Sequence, residues 1–132
     1  MTRLVRTTMR LRPDRIIIGE VRGAEALALL KAWNTGHPGG VTTIHANSAR
    51  AALTRLSSLV QEAGVPPQPE LIAETINLLV FIVRSSAGRR VTEVVRVAGY
   101  NASDGFALTP VKLDERLEAI TALGLFDHQG GT

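Results

Sequence analysis

Apolar positions along this chain recur with two periods. Over residues 49–63 the spacing is helical, with Ala52, Leu56, Leu59, Val60 and Ala63 on one face. Asn47 or Ser48 can cap the start of that helix, and Gly64 can end it. Residues 24–34 are rich in Ala and Leu. There Leu27, Leu30 and Asn34, with Ala26 and Trp33, give one apolar face, and Gly36 can supply a left-handed stop. Residues 2–11 read as a further helix, with Thr2 as its cap and Leu4, Thr8 and Leu11 on one side. Pro13 disfavours helix at Arg12 and marks the break. Between these helices lie two short β-branched runs, 15–19 and 41–44. The first, bounded by Pro13-Asp14 and Gly19, predicts a buried strand, as in a parallel sheet, and the second predicts another short strand.

The second half changes rhythm. Pro66-Pro67-Gln68-Pro69 is a rigid connector. A short helix over 70–76 leads into a strand over 78–83. A polar turn at 85–90 precedes a strand over 91–97, and a turn at 101–105 precedes a strand over 106–111. Leu113, Leu117 and Ile120 predict an amphipathic helix over 114–123, followed by a frayed tail over 124–132. The pattern predicts an α/β fold: a parallel βαβ core, then helices and a small antiparallel meander. A seam near Gly64 to Pro69 separates residues 1–64 from 65–123.

Composition narrows the class only a little. With 45% hydrophobic and 20% charged residues, the 132-residue chain fits one globular domain with a real core. It has no cysteine, so disulfides, thiolate metal sites and cysteine nucleophiles drop out. No apolar run approaches the ~20 residues of a membrane-spanning helix. Charge placement says more than the net +3. Residues 1–22 hold six arginines against only Asp14 and Glu20. Such a segment suits an anionic partner, polyphosphate or nucleic acid, or is simply a solvated helix face.

Two segments carry chemistry. In residues 11–23 an apolar run ends on Gly19-Glu20. A carboxylate at the carboxyl end of a parallel strand projects into the crevice where such sheets bind ligands. It could polarise a water for attack on a phosphate, or simply pair with Arg15 or Arg22. In residues 35–49, His45 ends the second strand just before the helix cap. Two parallel strands ending side by side would bring it near Glu20, where an imidazole can donate to a phosphate oxygen. The N-terminus of the helix beyond Asn47-Ser48 could add an anion site. His37 lies in a Gly/Pro-rich turn and reads as structural. Trp33, Phe81 and Phe106 fall on apolar faces and read as core.

Together the segments resemble a known family. Leu11-Arg12-Pro13-Asp14-Arg15-Ile16-Ile17-Ile18-Gly19-Glu20-Val21-Arg22-Gly23 resembles the Walker B region of the type II/type IV secretion ATPases. Residues 35–48, with Thr35-Gly36-His37-Pro38-Gly39-Gly40 and Thr42-Thr43-Ile44-His45-Ala46-Asn47-Ser48, resemble that family's His box. The likeness runs on through Ala51 to Leu56 and Leu78 to Ile82. It is greatest to the members that serve conjugation. The resemblance implies a RecA-like P-loop ATPase domain that binds ATP and Mg²⁺ in a homo-hexameric ring. That ring would be cytoplasmic and peripheral at the inner membrane, working with secretion or conjugation machinery. By position it makes Glu20 and His45 catalytic, with Arg12, Arg22, His37 and Thr43 supporting the nucleotide. No direct metal ligand is implied; Mg²⁺ would reach Glu20 through water. A phosphate-cradling loop ending in Gly-Lys-Ser/Thr does not occur in these residues. The chain is therefore expected to be the C-terminal part of such an ATPase and to be inactive alone. The rival expectation is a non-enzymatic module whose basic N-terminal helix binds nucleic acid or a ring subunit.

Overall fold

The computed structural model describes residues 2–112. The helix expected over 114–123 and the tail over 124–132 lie outside the described residues, as does the Thr2 side chain. Nine elements follow one another: α1 (Thr2–Arg10), β1 (Ile17–Ile18), α2 (Glu25–Asn34), β2 (Val41–Thr42), α3 (Ala49–Gln61), α4 (Pro69–Thr75), β3 (Leu78–Ser85), β4 (Gly88–Asn101) and β5 (Gly105–Pro110).

β1 and β2 pair in parallel, Ile17 beside Val41 and Ile18 beside Thr42, with α2 as the crossover. Both strands are shorter than the sequence suggests, because among the described residues each pairs only with the other. The ladder still continues past them. The Val21 amide donates to the Thr43 carbonyl at 3.0 Å. Trp33 fixes the other end: its indole N–H donates to the Ile16 carbonyl at 3.0 Å. The indole fills the space in which a Cβ on residue 40 would sit, so Gly40 is demanded by packing.

The helices depart from expectation in instructive ways. α1 turns Val5 to the core and Met9 against it, one step round from the expected side; Leu4 and Leu11 are exposed. Its end is set by Pro13: Arg12 leaves the right-handed region for φ 49°, a non-glycine helix stop. In place of the single apolar face that its sequence predicts, α2 buries Ala26, Leu29, Leu30 and Ala32, because α1, α3 and α4 pack around it. α3 buries Ala52, Leu56, Leu59 and Val60 as its spacing predicts, and Ala49 and Leu53 besides. It ends at Gln61, short of Ala63, and Gly64 takes φ +75° in the turn beyond. Of the two cap candidates, Ser48 is the one that caps: its Oγ accepts from the Ala51 amide at 3.0 Å.

The meander β3-β4-β5 is antiparallel throughout. The turn expected over 85–90 is much tighter. Ser85 pairs with Gly88, and Arg89 and Arg90 continue the strand. Their charge suggested a loop, but as exposed strand residues they keep their head groups in water. Asn101 organises the second turn by accepting from the Ser103 and Asp104 amides. One apolar cluster joins the halves: Ile16 and Val21, the helices' buried faces, Ile72 of α4 and Val97 of β4.

Candidate functional site

Glu20 leaves the carboxyl end of β1, and His45 stands three residues beyond β2. The parallel register carries them to the same end of the sheet. His45 Nε2 lies 3.1 Å from Glu20 Oε1, and Arg22 Nη2 lies 2.6 Å from Glu20 Oε2. The Glu20 side chain is 21% exposed, while those of Arg22 and His45 are 77% and 91% exposed. A largely covered carboxylate is thus clasped by two solvent-facing cationic or potentially cationic groups.

The backbone beneath this cluster is held on both sides. Thr43 Oγ1 donates to the Gly19 carbonyl at 2.6 Å, fixing the peptide from which Glu20 projects. Beyond Glu20, the Glu25 carboxylate accepts from the amides of Arg22 and Gly23 at 3.0 and 3.3 Å. Ala24, at the α2 N-cap, has no side chain that could cap; Glu25 instead ties down the loop that leads into the helix. Those backbone hydrogen bonds, the one from Arg22 foremost, hold the Glu25 carboxyl below its usual range.

The hydrogen bond from Arg22 foremost, and the charges of Arg22 and His45 behind it, likewise hold Glu20 below the usual carboxylate range; desolvation opposes them. The folded-state value is depressed. Stability from the Arg22 pair is therefore present above the unfolded carboxylate pKa and is lost as pH falls through the depressed one. In Arg22→Gln the Glu20 titration should move up toward the ordinary range, and the acid limb of the stability profile should flatten. Carboxyl ¹³C shifts followed against pH would show this. An unmoved Glu20 would mean that Arg22 is not what holds it.

The other expected site residues are scattered. Arg12 is exposed at the α1–β1 link, with no hydrogen bond or ion pair to the cluster. His37 is half-buried in the turn after α2, and its Nδ1 has no partner. The N-terminus of α3 is already occupied: Glu93 of β4 accepts from the Ala49 amide at 3.3 Å, and Ser48 takes that of Ala51. Sequence reading passed over Glu25 and Glu93, which act on backbone rather than on ligand. It also passed over Arg55. Arg55 lines a hollow of about 400 Å³ with His45, Ala46, Asn47 and Ala51. Its only sequence signal is position, one helical turn beyond Ala51 on α3.

A model of the Type II/IV secretion system protein family matches residues 1–111, and the chain belongs to that family. Conjugal transfer protein TrbB of Rhizobium radiobacter is 61% identical over 100 residues, covering 76% of this chain and 31% of that protein. Type IV secretion system protein VirB11 of Bartonella quintana is 34% identical over 97 residues, covering 69% of this chain and 27% of that one. Among solved structures, the VirB11 ATPase from the Brucella suis type IV secretion system, in complex with sulphate, aligns with a TM-score of 0.67. The identity there is 27%, over 72% of this chain and 31% of that chain. The α/β architecture is thus that of part of a secretion ATPase. The chain spans about a third of the length of the curated relatives it matches.

Proposed function

We propose that this chain supplies the hydrolytic half of an ATP site in a conjugal transfer or type IV secretion ATPase. The observation that carries the reading is the Glu20–His45 contact at the shared end of two parallel strands. That end of a parallel sheet is where α/β proteins bind ligands. In this reading Glu20 orients a water toward the γ-phosphorus and accepts its proton. The new P–O bond forms as the bond to the β-phosphate oxygen breaks, leaving ADP and inorganic phosphate. His45 donates a hydrogen bond to a γ-phosphate oxygen, and Arg22 can exchange Glu20 for a phosphate.

The polar, cation-rich end of the sheet suits a magnesium nucleotide. Mg²⁺ supplies charge neutralisation on the phosphates, and Glu20 would reach it through water. Contacts to the β- and γ-phosphates by a Gly-rich loop and its lysine lie outside these residues. Residues 1–64 would contribute to the RecA-like ATPase core, and those from 65 onward its C-terminal helices and meander. The parent would act as a homo-hexamer at the cytoplasmic face of the inner membrane, energising pilus assembly or transfer of DNA or protein. Among the described residues, no helix is long and apolar enough to cross a membrane.

In a full-length ATPase carrying these residues, His45→Ala should slow turnover more than it weakens ATP binding. A hydrogen bond aimed at a phosphate whose charge is redistributing counts most in the transition state. Single-turnover rates and nucleotide titrations separate the two. Unchanged turnover with weaker binding would confine His45 to the ground state.

A further inference from the structure

We propose that the hollow flanked by His45 and Arg55 is a phosphate site, and that Arg55 is its principal ligand. The proposal deepens the hydrolytic reading, which supplies the source of phosphate but does not use Arg55. Three observations carry it. The hollow, about 400 Å³, is lined by His45, Ala46, Asn47, Ala51 and Arg55, of which His45, Asn47 and Arg55 bring polar side chains. No carboxylate is among its lining residues; Glu20, behind His45, and Glu93, at the start of α3, stand just outside it. Among the described residues Arg55 has no ion-pair partner, while Arg22 is paired with Glu20 until a ligand displaces it.

The geometry separates two jobs within one site. On one flank His45 meets Glu20, where water would be activated. On the other it shares the hollow with Arg55, where negative charge would be received. Two of the first-turn amides of α3 are already taken, that of Ala49 by Glu93 and that of Ala51 by Ser48. Side chains therefore carry most of the binding. A guanidinium suits the task, because its planar fork meets two phosphate oxygens at once. The phosphate could be the γ-phosphoryl group of bound nucleotide or the inorganic phosphate that hydrolysis releases.

Inorganic phosphate titrated into the ¹⁵N-labelled 132-residue chain tests the binding. Amide shifts should concentrate at Ala46, Asn47, Ala51 and Arg55. They should weaken about tenfold or more in apparent affinity in Arg55→Ala, and return in part in Arg55→Lys, which restores charge without the fork. No shifts at these positions, or equal binding by Arg55→Ala, would overturn the proposal. A second arm uses the full-length ATPase. If Arg55→Ala raises the inhibition constant for phosphate and leaves the KM for ATP alone, the ligand is released phosphate. A raised KM for ATP marks the γ-phosphoryl group, and no change in either overturns the assignment. Normal turnover by Glu20→Gln would remove the hydrolytic reading and leave the titration of the chain to be judged by itself.

Discussion

In a full-length ATPase carrying these residues, Glu20→Gln is expected to lower ATP turnover by about 100- to 10,000-fold, the span general-base catalysis covers. Nucleotide binding and ring assembly should survive. The amide keeps the size and shape of the carboxylate but can neither accept the water's proton nor carry its charge. The site geometry sharpens the expectation. Arg22 keeps Glu20 ionised and below its usual pKa, so in the resting arrangement it is a weak proton acceptor. A phosphate that draws Arg22 away would raise Glu20's basicity when a substrate is present. Removing the carboxylate abolishes that response as well as the base. Phosphate release measured beside ATP affinity separates loss of the base from loss of binding. Turnover within about threefold of the parent would make Glu20 a structural partner of Arg22 and no more.

The architecture was legible because it rests on local rules. The β-branched run at Ile16-Ile17-Ile18, the helical spacing of Leu56, Leu59 and Val60, and the glycines at turns each act within a few residues. The meeting of Glu20 and His45 followed from two parallel strands ending together. Long-range partners were not legible. Nothing near Trp33 in sequence says that its indole will seek the Ile16 carbonyl and press on Gly40. Glu93 lies 44 residues from the amide it receives. The face of α1 was misread for a related reason. With few apolar residues, its rotation is set by where α2 and β1 present a hollow, and that selected Val5 over Leu4. Arg55 escaped notice because an arginine on an exposed helix face reads as solvation until the fold places it beside His45.

The two sheets should differ sharply in amide exchange. β1 and β2 form two paired positions in all, and Ile17 and Val41 are 71% and 58% exposed. A groove of about 590 Å³ between α1 and β1 admits solvent to the outer edge. Edges of this kind open locally at little cost and also invite pairing with another chain. β4, in contrast, is paired along most of its fourteen residues, with β3 in its first part, β5 in its second and both at Val95 and Arg96, and Val97 seats it in the core. In dilute solution the amides of residues 17–18 and 41–42 should therefore exchange on the order of a hundredfold or more faster than those at the centre of β4, since local openings range from near zero up to the global stability. Val21 should be intermediate, because its amide is tied to Thr43 and Thr43 in turn to Gly19. Raising the protein concentration should slow exchange at β1 and β2 selectively, as the free edges find partners. Equal protection of both sheets at every dilution, with a monomeric mass by light scattering, would show that β1 and β2 are closed by contacts within the chain.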